Sequence, residues 1–80
     1  MPRLSKRAER DLQGLPEALR LRAESIISRL DAEPALGKKL LGSLKDLRSA
    51  RLGRSHRILY RVTTDEVFVV TVSPRRDAYR

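Results

Sequence analysis

The apolar residues of this chain change their spacing part-way along it, and that change limits the folds open to the chain. Leu19, Ala23, Ile26, Ile27 and Leu30 recur at the spacing that lines one face of an α-helix. Further on, Ile58, Tyr60 and Val62 alternate with Arg57, Leu59 and Arg61, the two-residue period of a half-buried strand. The stretch Val67-Phe68-Val69-Val70-Thr71-Val72 is almost continuously apolar and β-branched, as suits a central strand covered on both faces. Helices therefore come first and strands second. Such an order gives an α+β fold, an N-terminal helical hairpin packed by its apolar stripe on one face of a small antiparallel β-sheet.

Local signals place the elements. Ser5 is a suitable N-cap for a first helix over Lys6 to Gln13, with Leu4, Ala8 and Leu12 four apart on one side. Gly14 suits a left-handed position that ends it. Pro16 fits the first position of a second helix, with Glu17 near its positive end, and Pro34 stops that helix. Ala35 to Ser43 reads as a loop, in which Lys38 and Lys39 are solvated. Strands are expected over about Leu44 to Leu52, over Arg57–Val62 and over Val67–Val72, with a turn at Thr63-Thr64-Asp65-Glu66 and an end at Ser73-Pro74. Together these make a three-stranded meander.

An 80-residue chain has room for a single domain, 1–80, and 40% hydrophobic residues suffice for its core. Without cysteine there is no disulfide framework and no thiolate metal site, which fits a reducing compartment. With one histidine as well, no metal or other cofactor is indicated. No apolar run approaches the roughly 20 residues that span a bilayer. The opening residues lack the apolar stretch of a secretory signal, so the expectation is a cytoplasmic protein without membrane contact. Lys and Arg total 18 against 10 acids, a net charge of +8. An excess of this size points to a polyanionic partner, either nucleic acid or an acidic protein segment.

Several segments, in order, resemble the toxins of the RelE/ParE superfamily, which belong to type II toxin–antitoxin pairs. They are Ser5-Lys6-Arg7-Ala8-Glu9-Arg10-Asp11-Leu12 with Leu15-Pro16, Gly37-Lys38-Lys39-Leu40, Leu47-Arg48-Ser49, Arg57-Ile58-Leu59-Tyr60-Arg61-Val62 and Arg75-Arg76-Asp77-Ala78-Tyr79. The RelE-like branch is favoured. Two departures stand out: only Pro2-Arg3-Leu4 precede Ser5, so the family's first strand is short or missing, and the sequence stops at Arg80 without a C-terminal helix. A short first strand leaves a sheet edge less covered.

The resemblance implies a ribosome-dependent endoribonuclease that cuts mRNA in the decoding site through its own 2'-hydroxyl, without metal, and so inhibits translation. It also implies a cognate antitoxin that wraps the basic face. Such chemistry needs a proton acceptor for the 2'-OH, cations for the pentacovalent phosphate and a donor for the leaving 5' oxygen. Arginine's planar fork matches phosphate oxygens in two-point contacts. By family position Arg48, Arg51, Arg57 and Arg75 are candidate catalytic residues, with Arg51 and Arg54 interchangeable in the alignment. Tyr79 matches a C-terminal tyrosine that stacks on a base or orients the nucleophile. Arg54, Arg61 and Arg76 are candidate RNA contacts.

The proton acceptor is less obvious. Well-known members use a lysine where this chain has Arg48, Ala50 and Arg51, and arginine stays protonated. His56 is the only histidine, and imidazole is suited to moving protons near neutrality. Each candidate also has a plainer reading: a solvated loop histidine, charges that protect an edge strand, or a tyrosine that covers the core. Two other functions share the fold, a ParE-like inhibitor of DNA gyrase that needs no proton transfer, and an RNA-binding member without catalysis.

Overall fold

A computed structural model describes residues 2–40, 47–64 and 66–74. Their order is β1 (Arg3–Leu4), α1 (Lys6–Gln13), α2 (Glu17–Arg29), β2 (Lys38–Lys39), β3 (Arg48–Leu52), β4 (His56–Val62) and β5 (Val67–Pro74). The strands form one five-stranded sheet in the order β1-β5-β4-β3-β2. β1 runs parallel to β5, and every other pair is antiparallel. The two helices pack on one face of this mixed sheet, giving the expected α+β architecture.

α1 begins where Ser5 caps it: the Ser5 Oγ accepts from the Ala8 N–H at 2.9 Å while its own O–H donates to the Val70 carbonyl at 2.6 Å. One side chain thus satisfies a free helix-end N–H and ties the helix to the sheet. Ala8 and Leu12 are buried, as their spacing implied. Gly14 departs from expectation. Its φ is −83°, in the right-handed region, and its N–H donates to the Arg10 and Asp11 carbonyls, so no left-handed turn is needed before Pro16. Pro16 itself is the N-cap of α2, one position earlier than anticipated.

α2 buries Ala23, Ile27 and Leu30, with Leu19 and Ile26 packed beside them, and thereby carries its stripe onto the sheet. The helix ends at Arg29, ahead of Pro34; the chain then turns through bonds from Glu33 N–H to the Arg29 carbonyl and from Leu36 N–H to the Glu33 carbonyl. Ala50, Leu52, Ile58, Tyr60, Val67, Val69 and Val72 complete the core from the sheet side.

The sheet has five strands where a three-stranded meander was expected. β1 is short but present, with Arg3 opposite Phe68 and Leu4 opposite Val69. Lys38 and Lys39, taken for a loop, pair with Ser49 and Arg48 as the far edge strand. Two-residue strands leave no periodicity to read, which is why the sequence does not announce them. β3 starts at Arg48, and the expected earlier start, Leu44 to Asp46, lies outside the described residues.

Gly37 holds the β2 end in place. A Cβ there would sit 2.7 Å from the Tyr60 ring and hydroxyl, so only glycine fits. The Gly37 N–H donates to the Tyr60 hydroxyl at 2.6 Å, and that hydroxyl donates to the Pro34 carbonyl at 2.8 Å. The fully buried ring of Tyr60 therefore has its polar tip satisfied and serves as a core strut.

Candidate functional site

Register decides which arginines meet. In β3 and β4, Arg48 lies opposite Tyr60 and Arg51 opposite Arg57. Successive residues of a strand point to opposite faces, so Arg48 projects with Tyr60 toward the helices, whereas Arg51 and Arg57 share the outer face. Ser73 of β5 is the next residue in that outer row, paired with Arg57. Arg61 belongs to the same face of β4, two steps further from the hairpin than Leu59, and is exposed.

β3 and β4 are joined by Gly53-Arg54-Ser55, with Leu52 opposite His56. Gly53 has φ 63°, the left-handed conformation in which a side chain is strained, so this glycine shapes the turn. Around the hairpin end lies an open hollow of about 210 Å³ lined by Arg51, Gly53, Arg54, His56 and Arg57. His56 is half-buried, and its Nδ1 lies 2.7 Å from the Ser55 hydroxyl. The Nε of Arg57 is buried and has no hydrogen-bond partner among the described residues. Arg51, Arg54, Arg57 and Arg61 make none of the described ion pairs. A cluster of guanidinium groups without carboxylate partners among the described residues, one with an unmet N–H, is suited to take an anion with several oxygen acceptors.

Four of the residues singled out from sequence, Arg51, Arg54, His56 and Arg57, thus come together. Arg48 does not join them. Its Nε donates to the Gly37 carbonyl at 3.2 Å, and it braces the β2 end from the helical side. Arg75, Arg76 and Tyr79 lie outside the described residues. Among the described residues, no three His, Asp or Glu side chains are grouped to hold a metal ion.

Sequence reading missed a polar network on β5. The Thr71 hydroxyl donates to Asp11 Oδ2 at 2.7 Å and lies 2.7 Å from the Ser73 hydroxyl. The Val72 N–H donates to the same Asp11 oxygen at 3.0 Å. Beyond the two residues of β1, the edge of β5 would expose such N–H groups; Asp11, on α1, takes the place of a pairing strand there. The visible signal was Thr71-x-Ser73, hydroxyls at strand period inside an otherwise apolar run.

Two helices packed on one face of a five-stranded, mostly antiparallel sheet make a RelE-like α+β fold. The chain belongs to the RelE/ParE superfamily of type II toxin–antitoxin toxins, its residues 3–79 matching the family described as ParE toxin of type II toxin-antitoxin system, parDE. Among solved structures, it is similar to a chain of the toxin-antitoxin complex RelBE2 from Mycobacterium tuberculosis. The two are 30% identical with a TM-score of 0.76, over 94% of this chain and 96% of that one. A YoeB/ParE toxin from Agrobacterium tumefaciens shares the fold at 19% identity and a TM-score of 0.81, over 94% and 99% of the two chains. YafQ from E. coli does so at 14% identity and 0.80, over 100% and 98%. No curated protein sequence matches this one. No helix among the described residues is long and apolar enough to cross a membrane.

Proposed function

We propose that this toxin is a ribosome-dependent endoribonuclease, cutting mRNA in the decoding site by attack of the 2'-hydroxyl on the adjacent phosphorus. The observation that carries this reading is the pairing of Arg51 with Arg57 beside a hollow, with the Arg57 Nε–H buried and unmet. A scissile phosphate seated there is held by the terminal N–H groups of the two guanidiniums, which stabilise the charge that builds on its oxygens. Attack by O2' displaces the 5' oxygen and leaves a 2',3'-cyclic phosphate and a 5'-hydroxyl. His56, on the hollow's rim, moves a proton in this step, and Arg54 and Arg61 hold the flanking backbone. Arg75 and Tyr79 enter through the family pattern, Tyr79 to stack on a base, and Arg76 to attract phosphate. Arg48 is assigned to bracing Gly37 and not to the reacting phosphate.

The partners in this reading are the ribosome, its mRNA and a cognate antitoxin, in the cytoplasm. An acidic segment that folds as it binds would neutralise the outer face. The relative from M. tuberculosis, found in a toxin–antitoxin complex, supports such a partner.

The ParE description of the matching family favours a second reading, inhibition of DNA gyrase. One pair of assays decides. Purified protein added to ribosomes programmed with a defined message yields cuts within the decoding site and leaves gyrase supercoiling untouched. Inhibited supercoiling with intact message selects the second reading. Under the first, His56→Ala changes the shape of the pH–rate profile; an unchanged profile removes His56 from the mechanism.

A further inference from the structure

The polar network of α1 and β5 has a direction. A hydroxyl has one proton to give, and Thr71 gives its own to Asp11 Oδ2. The Thr71···Ser73 contact at 2.7 Å must then run the other way, with Ser73 donating to the Thr71 oxygen. Ser73 has thereby spent its only proton. What remains on its Oγ is acceptor capacity alone.

Ser73 is also the cross-strand partner of Arg57 on the outer face. Such partners have Cβ atoms about 5 Å apart, within reach of a side-chain adjustment. Arg57 brings the complementary deficit: its Nε–H is buried and lacks an acceptor. Ser73 is itself buried, so water is a poor competitor for either group. A buried donor without an acceptor among the described residues and a hydroxyl oxygen with acceptor capacity thus stand side by side. The orientation of the second is set by a carboxylate two hydroxyls away, on a helix.

We propose that Asp11, Thr71 and Ser73 form a positioning relay for Arg57: when a phosphate draws the terminal nitrogens of Arg57, its Nε–H turns onto the Ser73 oxygen and fixes the guanidinium plane. This rests on the endoribonuclease reading for the identity of the phosphate, but the relay itself requires only a bound RNA backbone. Asp11 sets the polarity of the chain, Thr71 transmits it and Ser73 presents the acceptor. None of the three touches the reacting atoms. The relay also explains the two hydroxyls in the apolar run of β5, where valine would suit the sheet better.

A double-mutant cycle tests it. Ser73→Ala lowers kcat for ribosomal mRNA cleavage about tenfold with KM unchanged, since orientation and not binding is lost. Arg57→Lys has no Nε–H, so Ser73→Ala in that background costs nothing more. Equal losses in both backgrounds would overturn the relay and leave Ser73 a packing residue. A second readout is independent of cleavage: the NMR signal of the Arg57 Nε–H on adding a short 2'-O-methyl RNA, which cannot be cut. It shifts in the wild-type protein, less in Asp11→Asn, and not at all in Ser73→Ala, while thermal unfolding of Ser73→Ala stays near wild type. A shift that survives Ser73→Ala, or no shift in the wild type, overturns the proposal. A Ser73-dependent shift in a protein that cuts no mRNA upholds the relay and removes the endoribonuclease reading.

Discussion

The two faces of the sheet are made by the same residues in alternation and do opposite work. On the helical face, Ala50, Leu52, Ile58, Tyr60 and Val72 meet Ala8, Leu12, Ala23, Ile27 and Leu30 in one apolar core, and the polar tip of Tyr60 is satisfied twice. On the outer face, Arg51 and Arg57 stand together, with a buried Nε–H that no described residue accepts. One face is finished and the other is not. Between Arg57 and Ile58 there is a single peptide bond, so the apolar core and the proposed site divide at the level of the pleat.

That division is open to attack from both sides. The largest effect expected is from Ile58→Ala, which removes a fully buried side chain from the finished face. It costs about 2–5 kcal/mol of unfolding free energy, measurable by urea denaturation. Its neighbour Arg57→Ala leaves that stability within about 0.5 kcal/mol. Cleavage on programmed ribosomes falls in that variant by about 10²–10³-fold. Should the two substitutions lose stability and activity together, the faces are not independent. Tyr60→Phe leaves the Gly37 N–H and the Pro34 carbonyl without their partner and costs about 1–3 kcal/mol, again by denaturation, without altering the reaction beyond the fraction unfolded. The smallest change is at Arg61, exposed on the outer face. Arg61→Ala weakens RNA binding and flattens the salt dependence of log K by about 0.7, the loss of one phosphate contact on a single strand.

The sequence made much of this visible, for a physical reason. Long periodic segments bury a stripe or a face, and burial is what selects apolar residues at fixed spacing; the α2 stripe and the alternation of Arg57 to Val62 were therefore readable. Ser5 was readable as a cap because its chemistry is local. The two-residue strands β1 and β2 were not, since backbone pairing with distant partners demands no particular side chain at Lys38 or Lys39. Of the candidate residues, Arg51, Arg54, His56 and Arg57 line one hollow. Arg48 was grouped with them by position along the strand, but three residues from Arg51 is an odd number of pleats, and the register sends it to the other face. Asp11 escaped notice because its partners, Thr71 and Val72, are 60 and 61 residues away.

Those separations bear on how the molecule is made. α1 emerges early from a translating ribosome, yet its anchors on the sheet, the Val70 carbonyl, Thr71 and the Val72 N–H, belong to the last strand described. An isolated helix as short as Lys6–Gln13 is barely populated in water, so most of its support comes only with β5. The sheet edge that Asp11 guards is open for the same interval. Docking of α1 on the sheet thereby waits until β5 has been made, a contact between segments far apart in the chain that is slow to form.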